Sequence, residues 1–412
     1  MMIRLLLIGL LTVPATVQAV QPVNPPGLMP TELARPLLEQ DPAVAAARAG
    51  LDVALQEASI LDESPYEWTA RTTGQQRRLE NGPRYNEWNV GIERTIRLPG
   101  KGAADRKLGK ATVEESQARY GEALHEAARE LMALWVDWLA AERARELAEN
   151  SLLSTQASLD AVEKRVRAGD ASKLDLSIAR AELAEQRRLG NDAKTQATGT
   201  WARLSTRFPG VKHQVMALPA PAPIGEDTAS WRDRIIAESD ELKVIQTQMQ
   251  KAQAHAERAR ADTTPDPTLG VYTASEVGGR ERISGIMISI PIPGGVRDLR
   301  SAKAIAAVEV SRQEVQRKRR QLETEIASSV VTARGAYESL QIANEGAAAI
   351  QENAALVQRA YALGEAELQA LLLARRQATA AMNIALQAQI TALKAYYGLL
   401  VDAHLIWELD HD

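Results

Sequence analysis

Five histidines, His125, His213, His255, His404 and His411, are the first candidates for chemistry, because imidazole is both the commonest metal ligand and the commonest general base. They are dispersed and lack metal-ligand spacing. His125 and His255 fall in helical, polar stretches and read as solvated. His411 belongs to a terminal Asp410-His411-Asp412 tail. The chain has no cysteine, which excludes a disulfide, a thiolate metal site, a catalytic thiol and a lipid anchor on an N-terminal cysteine. Gly100-Lys101-Gly102 lacks the spaced upstream glycine and following Ser or Thr of a phosphate loop. No serine sits in a nucleophile elbow. The basic run Arg317-Lys318-Arg319-Arg320 is flanked by Glu314, Glu323 and Glu325 and reads as a solvated helix face. A net charge of -4 does not suggest a nucleic-acid binder. The expectation is no enzyme, no catalytic residue, no cofactor and no metal site.

The elements around these residues tell the same story twice. Pro99-Gly100 followed by Arg106 recurs 194 residues later as Pro293-Gly294 followed by Arg300. Gly169-Asp170-Ala171 through Ala179-Arg180 recurs 195 residues later as Gly364-Glu365-Ala366 through Ala374-Arg375. Two landmarks with nearly one offset argue for a duplicated half within 412 residues, too long for a solenoid unit. Ala, Leu, Glu, Gln and Arg dominate, and aromatics make up only 4%; that is the composition of long helices.

Arg4, the apolar run Leu5 to Val13 and the small-residue site Val17-Gln18-Ala19 read as an export signal over 1–19. A first repeat is expected over 20–206, a Pro-rich linker over 207–230, a second repeat over 231–405 and a tail over 406–412. The first helix is expected from Leu33 to Leu61. Alternating steps of four and three from Tyr120 to Val166, and again from Ile305 to Tyr361, visit mostly apolar residues. A repeat near 3.5 residues is the seam of packed helices. Gly169 and Gly364 stop those helices, so each half turns back on itself with a tip near 169 or 364.

Extended stretches lie about Asn81-Gly82, over about 65–98, and about Gly278-Gly279, over about 267–292. Trp88, Val90, Ile92, Arg94 and Ile96 share one parity, and Ile286, Ile288 and Ile290 another. Each stretch is long enough to cross a bilayer as a tilted strand, with Tyr66, Trp68, Tyr85, Trp88 and Tyr272 as interface aromatics. Four strands do not close a barrel, and open edges are not tolerated in lipid. The alternative is an ordinary soluble hairpin packed on helices; if instead the strands enter a membrane, several copies must share one wall, three giving a twelve-stranded barrel and four also closing.

With these landmarks the chain resembles the TolC-like outer-membrane efflux proteins over nearly its whole length. The resemblance rests on the duplicated layout, on Pro99-Gly100 and Pro293-Gly294, and on the segments Arg167-Ala168-Gly169 through Leu174-Asp175 and Tyr361-Ala362-Leu363-Gly364 through Leu371. The stretch Pro265-Asp266-Pro267 through Pro291-Ile292-Pro293 is most similar to the branch serving cobalt, zinc and cadmium efflux. The resemblance implies a mainly α chain with a small β part, and a homotrimeric β-barrel in the outer membrane continued by a periplasmic α-helical barrel. It implies docking to a periplasmic adaptor (a membrane fusion protein) and an inner-membrane pump. Asp175 matches an acidic residue at that family's closed gate, and Tyr361 a tyrosine it constrains. The family's aspartate ring falls on Ala370 and Leu373 and is absent. Glu365 and Glu367 stand close by, either as a substitute acidic ring or as ordinary helix-start charge. Arg167, Ala168, Gly169, Asp170, Leu363 and Gly364 are the expected adaptor-contact tips.

Two rivals stand beside an efflux duct. One is the exit duct of a type I protein secretion system. The other is a non-transporting periplasmic coiled-coil adaptor or scaffold, although an adaptor needs one helical hairpin flanked by β-rich lipoyl-like segments. No residue names the cargo.

Overall fold

The computed structural model describes residues 25–225 and 227–409. The export signal read at 1–19 and the terminal Asp410-His411-Asp412 lie outside them. The elements are α1 (Thr31–Glu39), α2 (Pro42–Asp62), β1 (Thr69–Arg78), β2 (Arg84–Thr95), α3 (Pro99–Ala168), α4 (Lys173–Arg207), α5 (Thr228–Glu238), α6 (Asp240–Ala261), β3 (Thr268–Glu276), β4 (Glu281–Ser289), α7 (Val296–Leu363) and α8 (Leu368–Asp402). The two halves match closely. α3 and α7 have 70 and 68 residues, and α4 and α8 have 35 each. At 1.5 Å per residue the longer pair reach about 100 Å. Among the described residues, no helix is long and apolar enough to cross a membrane.

One expected helix is two. The stretch from Leu33 to Leu61 breaks at Gln40-Asp41, between α1 and α2. The Asp41 carboxylate accepts the amides of Ala43 (2.8 Å) and Val44 (3.4 Å), and Pro42 opens α2. An aspartate before a proline is a helix start, and it overrides the periodicity here.

The strands form one antiparallel sheet in the order β1-β2-β3-β4. Asn81, with φ 61°, turns the first hairpin, and Gly278 and Gly279, with φ 67° and 89°, turn the second. The register aligns Ile92, Val271 and Ile286, and beside them Arg94, Leu269 and Ile288. These share a face with Trp88 and Val90, and the apolar members are bare: Ile286 is 78% and Ile288 64% exposed. The opposite face carries ion pairs, Arg71–Glu93 (2.9 Å), Arg77–Glu87 (3.0 Å) and Arg77–Glu276 (2.8 Å). β1 and β4 are edges, each paired on one side only.

The main core lies midway along the helices. Leu124, Leu131, Trp135, Trp138 and Leu139 of α3 pack with Leu204, Phe208, Leu393, Tyr397 and Val401. The heptad stripe of α3 supplies many of these; in α7 the buried residue is Val330 rather than the expected Ser329. The segment read as a tail from 406 is packed through Leu409, because Ile406, Trp407 and Leu409 join the core. Trp407 Nε1 donates to the Met29 carbonyl (2.7 Å) and Trp135 Nε1 to that of Gly27 (2.9 Å). Gly27, at φ 80°, turns the chain sharply enough to present that carbonyl.

Candidate functional site

The tips come from one backbone motif used twice. At the first, the Asp170 amide donates to Arg165 O (2.8 Å) and that of Gly169 to Val166 O (3.1 Å). At the second, the Glu365 amide donates to Ala360 O (2.8 Å) and that of Gly364 to Tyr361 O (3.1 Å). Gly169 and Gly364 have φ 84° and 80°, left-handed conformations that disfavour a side chain. Arg167, Ala168, Gly169, Asp170, Leu363 and Gly364 are all exposed. Behind them Leu159, Val162, Leu183, Leu368, Leu371 and Leu372 form a small core that fixes the two hairpins against each other.

The gate candidates separate. Asp175 closes a reciprocal cap: its carboxylate accepts the Ser172 amide (3.0 Å) and hydroxyl (2.8 Å), while Ser172 Oγ accepts the Asp175 amide (3.0 Å). No hydrogen bond within the chain joins Asp175 to Tyr361. Tyr361 instead lies under the Arg165 guanidinium, 5.3 Å from the ring centroid, a cation–π contact worth about 0.5–1 kcal/mol when exposed. Both line a cleft of about 720 Å³ with Asp170, Leu363, Gly364 and Arg375. Burial pushes the Arg375 guanidinium below its usual range, and it donates to Ser158 Oγ. Glu365 and Glu367 are exposed. Glu367 precedes α8 and makes no side-chain cap. The Ser-x-x-Asp spacing was the sequence signal for the structural role of Asp175.

Where the first hairpin enters α3, a buried ion network replaces the phosphate loop that Gly100-Lys101-Gly102 fails to make. Lys101 Nζ, 3% exposed, lies 2.9 Å from Asp266 and 3.3 Å from Asp262. Asp266 also accepts the Leu98 amide (3.1 Å) and the Tyr66 hydroxyl (2.7 Å). Burial, and then this hydrogen bond, push the Tyr66 hydroxyl up to about 12. Tyr66 thus anchors the junction between the sheet and α3. Asp105, bonded to Arg97 (3.2 Å) and Arg258, extends the network. Lys101 and Asp105 lie in the first repeat, and Arg258, Asp262 and Asp266 in the second, so the network ties the repeats together.

The histidines need correction. His125 is 6% exposed, not solvated. Its ring meets that of His404 edge to face, centroids 5.3 Å apart. His404 Nε2 is 3.2 Å from Asp240 Oδ2. His255 is exposed. The basic run at 317–320 is a helix face, with Lys318 paired to Glu241 (2.6 Å) and Arg319 to Glu323 (3.2 Å).

Comparison with known proteins agrees with this geometry. No curated protein sequence matches the chain significantly. The backbone is similar to that of the CmeC outer membrane channel of Campylobacter jejuni, at 15% identity over 92% of this chain and 86% of that one, with a TM-score of 0.73. The outer membrane protein VceC of Vibrio cholerae gives 13% identity over 90% and 95%, with a TM-score of 0.70. CusC, a structure described in terms of transmembrane channel formation, gives 17% over 90% and 92%, with a TM-score of 0.63. The family model described as outer membrane efflux protein matches residues 33–207 and 231–400. The chain belongs to that family, whose members serve transport rather than catalysis.

Proposed function

We propose that this efflux-family chain is the outer-membrane exit duct of a tripartite efflux system. Three copies pool their strands into one twelve-stranded barrel, and their helices continue it as a periplasmic tube. The two-faced sheet carries the reading. One face is bare and apolar, the other is laced with ion pairs, and both edges are open. Lipid excludes unpaired backbone groups, so such a sheet needs neighbouring copies to complete its ladder. The 1–19 segment directs export and is then removed. The duct is passive, and the pump chooses the cargo; divalent heavy-metal cations are the class that the Pro265 to Pro293 resemblance favours.

The exposed turns at Arg167–Asp170 and Leu363-Gly364 receive the periplasmic adaptor. The end of the tube narrows around Asp175, Tyr361, Glu365 and Glu367. Bulky replacements of Ala168 or Leu363 therefore abolish efflux while leaving assembly intact; normal resistance in such strains removes the docking role.

The decisive experiment is reconstitution of the full-length chain. A detergent-stable trimer that opens discrete ion-conducting steps in a planar bilayer is the expected result. A monomer in plain buffer that conducts nothing overturns the duct. The neighbouring genes distinguish an efflux pump from a protein secretion transporter.

A further inference from the structure

The structure assigns a metal site to the wall of the molecule: we propose that His125, His404 and Asp240 bind a divalent transition-metal ion of the zinc class. One ligand atom from each lies within 4.8 Å of the other two. The side chains are withdrawn from water, with His125 at 6% exposure, the His404 side chain at 3% and Asp240 at 0%. Tetrahedral ligands about 2.0–2.1 Å from an ion stand about 3.3 Å from one another, so the widest separation must shorten by up to about 1.5 Å as the side chains turn toward the ion. His404 and Asp240 already approach to 3.2 Å. Two imidazoles and a carboxylate suit zinc and its borderline neighbours better than the oxygen-seeking magnesium or calcium. Asp402 Oδ1 lies 3.5 Å from His125 Nε2, long for a hydrogen bond. Asp402, or a water, takes the fourth position.

The backbone points the same way. α8 ends in the motif of the two tips, with the Leu405 amide donating to Leu400 O (2.9 Å) and that of His404 to Val401 O (3.0 Å). At the tips the left-handed position is glycine. Here it is His404, at φ 51°. A histidine is held where glycine is favoured, and its ring is thereby delivered against α3 and the first residue of α6. The ligands come from both repeats, so the ion cross-links the middle of α3 to α6 and to the end of α8. Arg129, 2.7 Å from Asp402, and Lys243, 3.3 Å from Asp240 Oδ1, already pair with the two carboxylates, so the ion binds in competition with both cations. The site is independent of what passes through the duct, and of whether the chain is a duct at all.

The test uses the full-length protein in detergent, stripped with a chelator and then equilibrated with zinc chloride. One zinc per chain by elemental analysis, with micromolar or tighter affinity, is expected. Cobalt chloride gives the visible absorption of a tetrahedral site. His404→Gly is the informative variant, because it removes a ligand while relieving the left-handed backbone, and circular dichroism checks that it is folded. It binds at least tenfold more weakly, as does His125→Gln, while His255→Ala binds like the parent. A folded parent that takes up no zinc at micromolar concentration, or a His404→Gly protein that binds it equally, overturns the site and leaves a histidine–aspartate hydrogen-bonded pair.

Discussion

The two repeats reach their turns by the same backbone route, yet they are held differently. The first tip has the Ser172–Asp175 cap; at the second, the 195-residue offset puts Glu367 and Ala370 in those places, and no side-chain cap forms. The first hairpin enters its long helix over the buried Lys101–Asp266 pair; the 194-residue offset puts Gly295 where Lys101 stands, with open space about it. The start of α3 and the first tip thus carry side-chain restraints that the corresponding positions at the start of α7 and at the second tip lack. A duplicated backbone tolerates this because the repeated glycines fix the turns, whereas caps and ion pairs only adjust their stability. A moving part is expected where restraints are fewest, and that is the α7–α8 tip carrying Tyr361.

The strongest way to break this comparison is at Lys101. Removing one partner of a buried ion pair costs about 3–5 kcal/mol, so Lys101→Ala lowers the unfolding free energy by that much while Gly295→Ala changes it by no more than about 0.5 kcal/mol, both read by urea denaturation. Equal losses from both would erase the asymmetry. Next come the turn glycines. A side chain in the left-handed region costs about 1–2 kcal/mol, so Gly169→Ala and Gly364→Ala should lose similar stability in urea unfolding; a cheap substitution at either would mean its turn is not the shared motif. The caps follow, at about 1 kcal/mol. Ser172→Ala destabilises α4, whereas the double change Glu367→Ser with Ala370→Asp stabilises α8, both read by hydrogen exchange at the tips. An inert double change would show that the second tip lacks something other than a cap.

The smallest effect is a pH slope. Burial, and then Glu241, Glu126 and Asp240, push the Glu122 carboxyl up to about 7 against the opposing charge of Arg129. The 194-residue offset puts the uncharged Gln316 in its place in the second repeat. A raised carboxyl favours the folded state while protonated, so its contribution is full below about pH 4.5 and fades as pH rises through about 7. After allowance for solvent screening this is about 1 kcal/mol. Glu122→Gln should flatten stability between those pH values, and an unchanged pH profile would dismiss the burial as its cause.

Much of this was readable from the residues. Gly169 and Gly364 stand where only a left-handed turn explains a glycine inside a helical pattern. Asn81-Gly82 and Gly278-Gly279 interrupt alternating stretches with the residue types that tolerate positive φ. The break at Asp41 was visible in its Asp-Pro dipeptide but was masked by apolar periodicity on both sides. The Leu405-Ile406-Trp407 triplet was the sign that the end of the chain is packed. What could not be read was the meeting of His125 with His404, 279 residues apart. No local pattern encodes it, because it depends on how α8 ends and on which face of α3 that end meets. Lys101 likewise finds Asp266 only through the sheet that brings the two repeats side by side.

The grip of Trp407 on the Met29 carbonyl spans 378 residues, and it sets a clock on synthesis. At about 5–20 residues per second, roughly 20–75 s separate the two residues at the ribosome. An exported chain crosses the membrane N-terminus first, so its helical arms expose their apolar stripes on the far side while the centre stays unlatched until the last residues arrive. Whatever keeps those arms from sticking to one another must act during the wait, and deleting the last packed residues would leave the nascent chain waiting indefinitely.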